Sequence, residues 1–258
     1  MEEGTTPGNP TMTKGGTGRI HIGTSGWQYD HWKGPFYPED LAKRDWLAWY
    51  ASRFDTTEVN SFFYGLPKAE TVTAWLQAVP ADFEFAVKGS RYITHMKKLK
   101  DPEASVARFW EQASLLGDQL GPVLFQLPPN WNANVDRLRS FLQGLPRGQR
   151  YTFEFRDESW FIPEVYEVLE EHGAAFCIYE LGEQASPVRV TADFAYVRLH
   201  GPEAGYSGDY GEQELTAWAE TLKSWRDRGL DAYLFFDNDE AGYAARDGLR
   251  LRELSEGA

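Results

Sequence analysis

The chain has 258 residues, 42% of them hydrophobic and 25% charged, an ordinary globular composition with enough length for one large core. A net charge of −13 argues against a protein that coats nucleic acid or anionic membrane non-specifically. The single cysteine, Cys177, excludes an intramolecular disulfide and fits a cytoplasmic location, and no apolar run reaches the roughly 18–20 residues of a membrane span.

Residues 1–18 are rich in Gly, Thr and Pro and lack the apolar core of a signal peptide, so they read as a disordered tail before one domain over 19–258. Residues 19–24 read as a strand with Ile20 and Ile22 on one face. A loop follows with Trp27, Tyr29, Trp32, Phe36 and Tyr37, then a helical rhythm over 39–54. Residues 56–62 read as the second strand, with Glu58 and Asn60 sharing a face opposite Val59, and 68–79 as a helix that Pro80 ends.

Later strands repeat one scheme, apolar outside and polar inside. On the third, Phe83, Phe85 and Val87 face outward and Glu84, Ala86 and Lys88 inward; on the fourth, Val123, Phe125 and Leu127 face outward and Gln126 inward. On the fifth, Tyr151, Phe153 and Phe155 oppose Thr152, Glu154 and Arg156. Residues 174–179 form the sixth. The seventh, 194–200, turns Tyr196, Arg198 and His200 inward. The eighth, 232–238, reads with Tyr233 and Phe235 outward and Leu234, Phe236 and Asn238 inward. Helical patterns follow every strand but the sixth, over 102–116, 135–145, 162–172, 215–228 and 243–254 in the later part of the chain. Eight strands and no dividing linker predict an α/β fold, a single (β/α)8 TIM-type barrel, with a doubly wound sheet as the alternative.

The motifs resemble the domain of unknown function 72, the YecE-like family. They are Gly23-Thr-Ser-Gly-Trp27, Gly34-Pro-Phe-Tyr-Pro38, Glu58-Val-Asn-Ser-Phe-Phe-Tyr64, Phe85-Ala-Val-Lys88, Thr94-His95 and the segment 121–129. Further on come Glu154-Phe-Arg156 with Ser159-Trp160, Tyr196-Val-Arg-Leu-His-Gly201 and Asp237-Asn-Asp239. The resemblance implies a TIM-type barrel and no particular reaction, the family's role being unassigned. Asp237 departs from an expected Asn, and Glu180 from an expected Asp.

Strand parity gathers the polar inward residues at the carboxyl ends of the strands, where β/α barrels keep their chemistry. Glu58, Lys88, Glu154 and His200 are the candidate catalytic residues: Glu154 or Glu58 as base, His200 as acid or base, Lys88 as acid or electrostatic stabiliser. Trp27, Asn60, Gln126, Arg156, Arg198 and Asn238 are the candidate ligand-binding residues, the two arginines suiting a phosphate or carboxylate. The competing reading is an ion-pair network that fixes the barrel interior.

Residues 89–101 hold Arg91, His95, Lys97, Lys98 and Lys100 in an otherwise acidic chain, and 201–211 hold four glycines with Tyr206 and Tyr210. Both segments are candidate lids, with His95, Tyr206 and Tyr210 the residues to watch. Glu58, Glu154, His200 and Asp239 are the side chains that could ligate a divalent metal. No HExxH or CxxC spacing supports one, the nearby Lys and Arg oppose it, and no nucleotide-cofactor motif is present. The pattern predicts an enzyme using general acid–base chemistry on a small anionic or hydroxylated molecule, such as a sugar phosphate or organic acid. Alternatives are a non-catalytic ligand sensor and a phosphodiester hydrolase acting on nucleic acid. Oligomeric state is left open.

Overall fold

In the computed structural model, residues 16–203 and 206–256 are described. Eight parallel strands run in the order β1-β9-β8-β6-β5-β4-β3-β2. They are β1 (Ile20–Thr24), β2 (Thr56–Val59), β3 (Glu84–Lys88), β4 (Leu120–Gln126), β5 (Tyr151–Glu154), β6 (Ala175–Leu181), β8 (Phe194–Leu199) and β9 (Asp231–Phe236). A two-residue strand, β7 (Gln184–Ala185), pairs antiparallel with the end of β6. The two terminal strands of this order meet through the parallel bridge between Ser25 and Glu58 and through the Thr57 hydroxyl, which donates to the Thr24 carbonyl at 3.0 Å. The sheet therefore closes into a barrel rather than opening into a doubly wound sheet.

The outer face is aromatic and is covered by α1 (Trp46–Ala51), α3 (Ala69–Ala78), α4 (Pro102–Ala113), α5 (Val135–Gln143), α6 (Pro163–Glu171), α7 (Glu212–Asp227) and α8 (Tyr243–Glu256). Phe141 of α5 meets Phe125 edge-on at 5.0 Å and Phe153 at 6.1 Å, and Phe155 stacks on Trp160 at 4.8 Å. Each such ring contributes roughly 1.5–3 kcal/mol by leaving water. Proline at the first turn sets the starts of α4 and α6, and the Asn134 side chain accepts from the Arg137 amide at 3.0 Å to cap α5. Among the described residues no helix lies between β6 and β8. There the chain turns at Gly182 and runs back through β7, so that the Ser186 and Thr191 hydroxyls accept the Tyr179 and Phe176 amides. Among the described residues no helix is long and apolar enough to cross a membrane.

Three elements differ from the sequence pattern. The second strand stops at Val59, and Ser61–Tyr64 forms a helical turn, α2. A continued strand would send Phe62 and Phe63 to opposite sides, whereas the turn buries both. The helix expected over 39–54 is confined to α1, preceded by the 3-10 turn Lys43–Asp45. On β9 the parity is reversed. Tyr233 and Phe235 belong to the interior cluster with Ala86, Leu124 and Cys177, while Leu234 and Phe236 join the outer core. The reason is chemical: Tyr233 is aromatic but its hydroxyl finds Arg150 and Glu84 inside the barrel, at 2.9 and 2.7 Å. The tail expected over 1–18 falls largely outside the described residues, but Gly18 is described and its amide donates to the Arg226 carbonyl at 2.9 Å.

Candidate active site

Because the strands are parallel, every inward residue at a carboxyl end faces one mouth. Arg198, next to last on β8 and fully buried, is the centre of that mouth. One guanidinium nitrogen, Nη1, donates to Glu154 Oε2 at 2.7 Å. The other, Nη2, donates to Glu58 Oε1 at 2.6 Å, to Asp237 Oδ2 at 3.1 Å and to the Ser25 hydroxyl at 3.2 Å. Glu58 is completed by the Tyr196 hydroxyl at 2.7 Å and the Ser25 hydroxyl at 2.8 Å. Glu154 takes a second guanidinium from Arg156, which also lies over the Tyr179 ring at 4.7 Å. Removing charges from water costs several kcal/mol each, and these charge-assisted bonds offset it.

His200, the residue after β8, sits between Asp237 and Arg156. Its Nδ1 is 2.9 Å from Asp237 Oδ2, and Arg156 Nη2 is 2.8 Å from its Nε2. A guanidinium can only donate, so Nε2 accepts and the ring proton is assigned to Nδ1. Burial, reinforced by Arg198, lowers the His200 pKa, consistent with a neutral ring whose Nε2 lone pair is its basic site. Burial alone would raise the Glu154 and Asp237 carboxyls. In both cases neighbours reverse that, with Arg156 and Arg198 holding Glu154 far below the usual range, and Arg198 and the hydrogen bond from His200 lowering Asp237.

Lys88 ends β3 in the same mouth. Its Nζ lies 4.7 Å above the Phe63 ring, and among the described residues it has neither a hydrogen bond nor an ion pair. Burial lowers its pKa and Arg198 lowers it further, against the opposing pull of Glu154, Glu58 and Asp237.

The mouth thus brings together Glu58, Lys88, Glu154, Arg156, Arg198 and His200. Gln126 lies beside Glu154 in register, its amide donating to the Leu127 carbonyl at 3.1 Å. Asn60 follows β2, and its Oδ1 is buried with no partner among the described residues. Tyr206 lies edge-on to His200 at 5.2 Å, in a left-handed backbone conformation. His95, on the π-helical turn Tyr92–Met96, meets Phe63 at 5.2 Å.

Three expected residues lie elsewhere. Trp27 is buried against Trp75 and Phe85. Asn238 donates to Asp247 and to the Gly208 carbonyl, tying the 201–211 loop to α8, because the reversed parity of β9 turns Asp237 inward instead. Tyr210 is a buried anchor of that loop, its hydroxyl accepting the Gly201 amide at 3.1 Å. Ser25 and Asp237 were missed, although Ser25 continues the inward parity of β1 and is legible once that strand is extended by one residue. Asp239, one of the four expected metal ligands, lies at the rim and accepts from Trp32 Nε1 at 2.6 Å. Among the described residues no group of three or more His, Cys, Asp and Glu is arranged to hold a metal.

The family model for the protein of unknown function DUF72 matches residues 21–258. The chain is 28% identical over 272 residues to the UPF0759 protein YunF of Bacillus subtilis, covering 91% of this chain and 94% of YunF. It is 29% identical over 143 residues to the UPF0759 protein YecE of Escherichia coli K12, covering 55% of this chain and 50% of YecE. A crystal structure of a DUF72 family protein from Thermotoga maritima superposes with a TM-score of 0.84 at 31% identity, over 92% of this chain and 99% of the other.

Proposed function

The chain belongs to the DUF72 family, and we propose that it is a cytoplasmic enzyme that removes and returns protons on a small anionic molecule held at the barrel mouth. The observation that carries this reading is the Asp237–His200–Arg156 alignment. Asp237 fixes the tautomer from one side, as a carboxylate does in other histidine-based sites, and leaves Nε2 basic on the other. Arg156 Nη2 occupies that lone pair. A carboxylate or phosphate entering the mouth competes for Arg156, and drawing that guanidinium away leaves Nε2 with only the longer 3.4 Å contact from Arg198 Nη1 and so available as the base. Anion binding and base activation are then one event.

Of the candidate bases Glu58, Glu154 and His200, this reading takes His200. Glu154 is a poor proton acceptor while two guanidiniums hold it ionised, and Glu58 is bonded by Arg198, Ser25 and Tyr196. The two glutamates serve to fix the arginines. Arg198, with three carboxylate partners, holds the site together, and Arg156 and Lys88 are the cations left for a ligand.

The test is exchange of substrate protons with solvent. Wild-type protein and His200→Gln are incubated in D2O with hydroxy acids, keto acids and sugar phosphates, and carbon-bound deuterium is followed by NMR. Incorporation in wild type, reduced at least tenfold in His200→Gln, is expected. A ligand that raises the melting temperature of wild type while none of the panel exchanges or turns over would make the protein a sensor and overturn the enzyme reading.

A further inference from the structure

We propose that Lys88 is a covalent catalyst, forming an imine with an aldehyde or ketone that also carries a carboxylate or phosphate. The inference rests on the acid–base reading above and adds its substrate class. The geometry that carries it is a lysine that, among the described residues, has no counter-ion in a site full of them. Glu58, Glu154 and Asp237 all lie in the same mouth, yet Arg198 binds each of them and Arg156 binds Glu154 again. The lysine amine is left 4.7 Å over the Phe63 ring, a weak cation–π contact in place of an ion pair. Lys88 is half-buried, so it keeps an open path to the mouth while having no carboxylate bound to its amine among the described residues. An amine meant to attack carbon must be unprotonated, and a half-buried position beside permanently charged guanidiniums favours that form. The depressed pKa of Lys88 points the same way.

The step balances without any further reactant. The amine nitrogen forms a bond to the carbonyl carbon, and the carbonyl oxygen collects the two protons needed to leave as water, one from the amine and one from solvent. A protonated C=N replaces C=O. Its positive charge acidifies the neighbouring C–H, and that proton is the one His200 Nε2 is placed to accept. The anionic group of the same molecule engages Arg156. A site with the anion grip, the nucleophile and the base on three different strand ends suits a small keto acid or a phosphorylated ketose.

The experiment is reductive trapping on the full chain. Pyruvate and, separately, dihydroxyacetone phosphate are added with sodium cyanoborohydride at neutral pH, and the digested protein is mapped by mass spectrometry. The expected result is a secondary-amine adduct on Lys88 with at least one probe, formed at least tenfold faster than on the exposed Lys33, Lys68 and Lys100, and absent from Lys88→Arg and Lys88→Met. Labelling of Lys88 no faster than of the exposed lysines, with both probes, overturns the proposal. That comparison is made within the wild-type protein, so it stands even if a variant fails to fold. Deuterium exchange without trapping would leave the His200 reading intact and remove the imine alone.

Discussion

Where the strands begin, Arg150 donates to the Tyr233 hydroxyl at 2.9 Å and to Asp231 at 2.6 Å, and Tyr233 donates in turn to Glu84 at 2.7 Å. His21 stacks on the same tyrosine at 4.6 Å and bonds Asp55 at 2.9 Å. Each of these side chains finds a partner, and the partners are one another. Where the strands end, the charges are at least as numerous but do not close on themselves. Arg198 holds three carboxylates while its own Nε is buried without a partner, Asn60 Oδ1 is likewise unpaired, and Lys88 stands alone among the described residues. A network in which each of these named groups is paired contributes to stability. One with open valences costs stability and leaves groups available to a ligand, and this is the physical difference between the two ends of the barrel.

The two ends differ most at their arginines. Arg198→Met leaves Glu58 and Glu154 buried without their shared cation, which is expected to cost about 3–5 kcal/mol in urea denaturation. Arg150→Met removes bonds from a partly exposed Asp231 and from a hydroxyl that keeps Glu84, and is expected to cost about 1 kcal/mol. Equal losses would mean that both ends are structural networks of one kind.

The barrel was legible in the sequence because parallel strands covered by helices carry continuous apolar outer faces, as Phe83-Phe85-Val87 and Tyr151-Phe153-Phe155 do. The same parity placed Lys88, Glu154, Arg156, Arg198 and His200 correctly. It failed on β9, where Tyr233 and Phe235 look like outer residues until the interior hydrogen bonds of Tyr233 are known. That one-residue slip exchanged Asp237 for Asn238. Nor could spacing show that Arg198 would be claimed by carboxylates from β2, β5 and the loop after β9, since those partners are 140, 44 and 39 positions away.

Acidity sharpens the contrast through one carboxylate at each end. At the closed end burial would raise Asp231, but the Arg19 amide and Arg150 outweigh it and lower its pKa. A lowered carboxyl stabilises the fold above its unfolded pKa, and that contribution fades as pH falls through the folded value. At the mouth, burial pushes Asp239 up to about 6, with Trp32 and His31 opposing and Asp237 adding to the rise. Its contribution is fully present below the ordinary carboxyl pKa and is lost as pH rises through about 6. Asp239→Asn should therefore raise stability at pH 8 by on the order of 2–3 kcal/mol and change little at pH 4. Asp231→Asn should do the reverse, destabilising at pH 7 and losing its effect in acid. Melting temperatures of both variants across that range check the signs, and parallel profiles would erase the distinction.

The smallest expected effect comes from the residue the contrast turns on. Lys88→Met keeps an unbranched apolar stem of similar reach and removes an amine that has no hydrogen-bond or ion-pair partner among the described residues. The surroundings to be weighed come from every element at the mouth: Arg198 from β8 disfavours the ammonium, Glu154 from β5, Glu58 from β2 and Asp237 after β9 favour it, and burial outweighs them all. At neutral pH the variant should be more stable than wild type by about 1 kcal/mol, the size commonly released when a group held for function is replaced. The size of this difference must change with pH in a specific way. A lysine whose folded pKa is depressed destabilises the protonated fold, so the wild-type deficit is fully present below that pKa. As pH rises from there toward the ordinary lysine value the unfolded chain still binds the proton and the fold does not, and the gap narrows. Chemical denaturation at pH 6 and pH 9 reads this directly. A variant that is less stable than wild type at both values would show that the carboxylates use the Lys88 charge after all, and the mouth would then resemble the closed end.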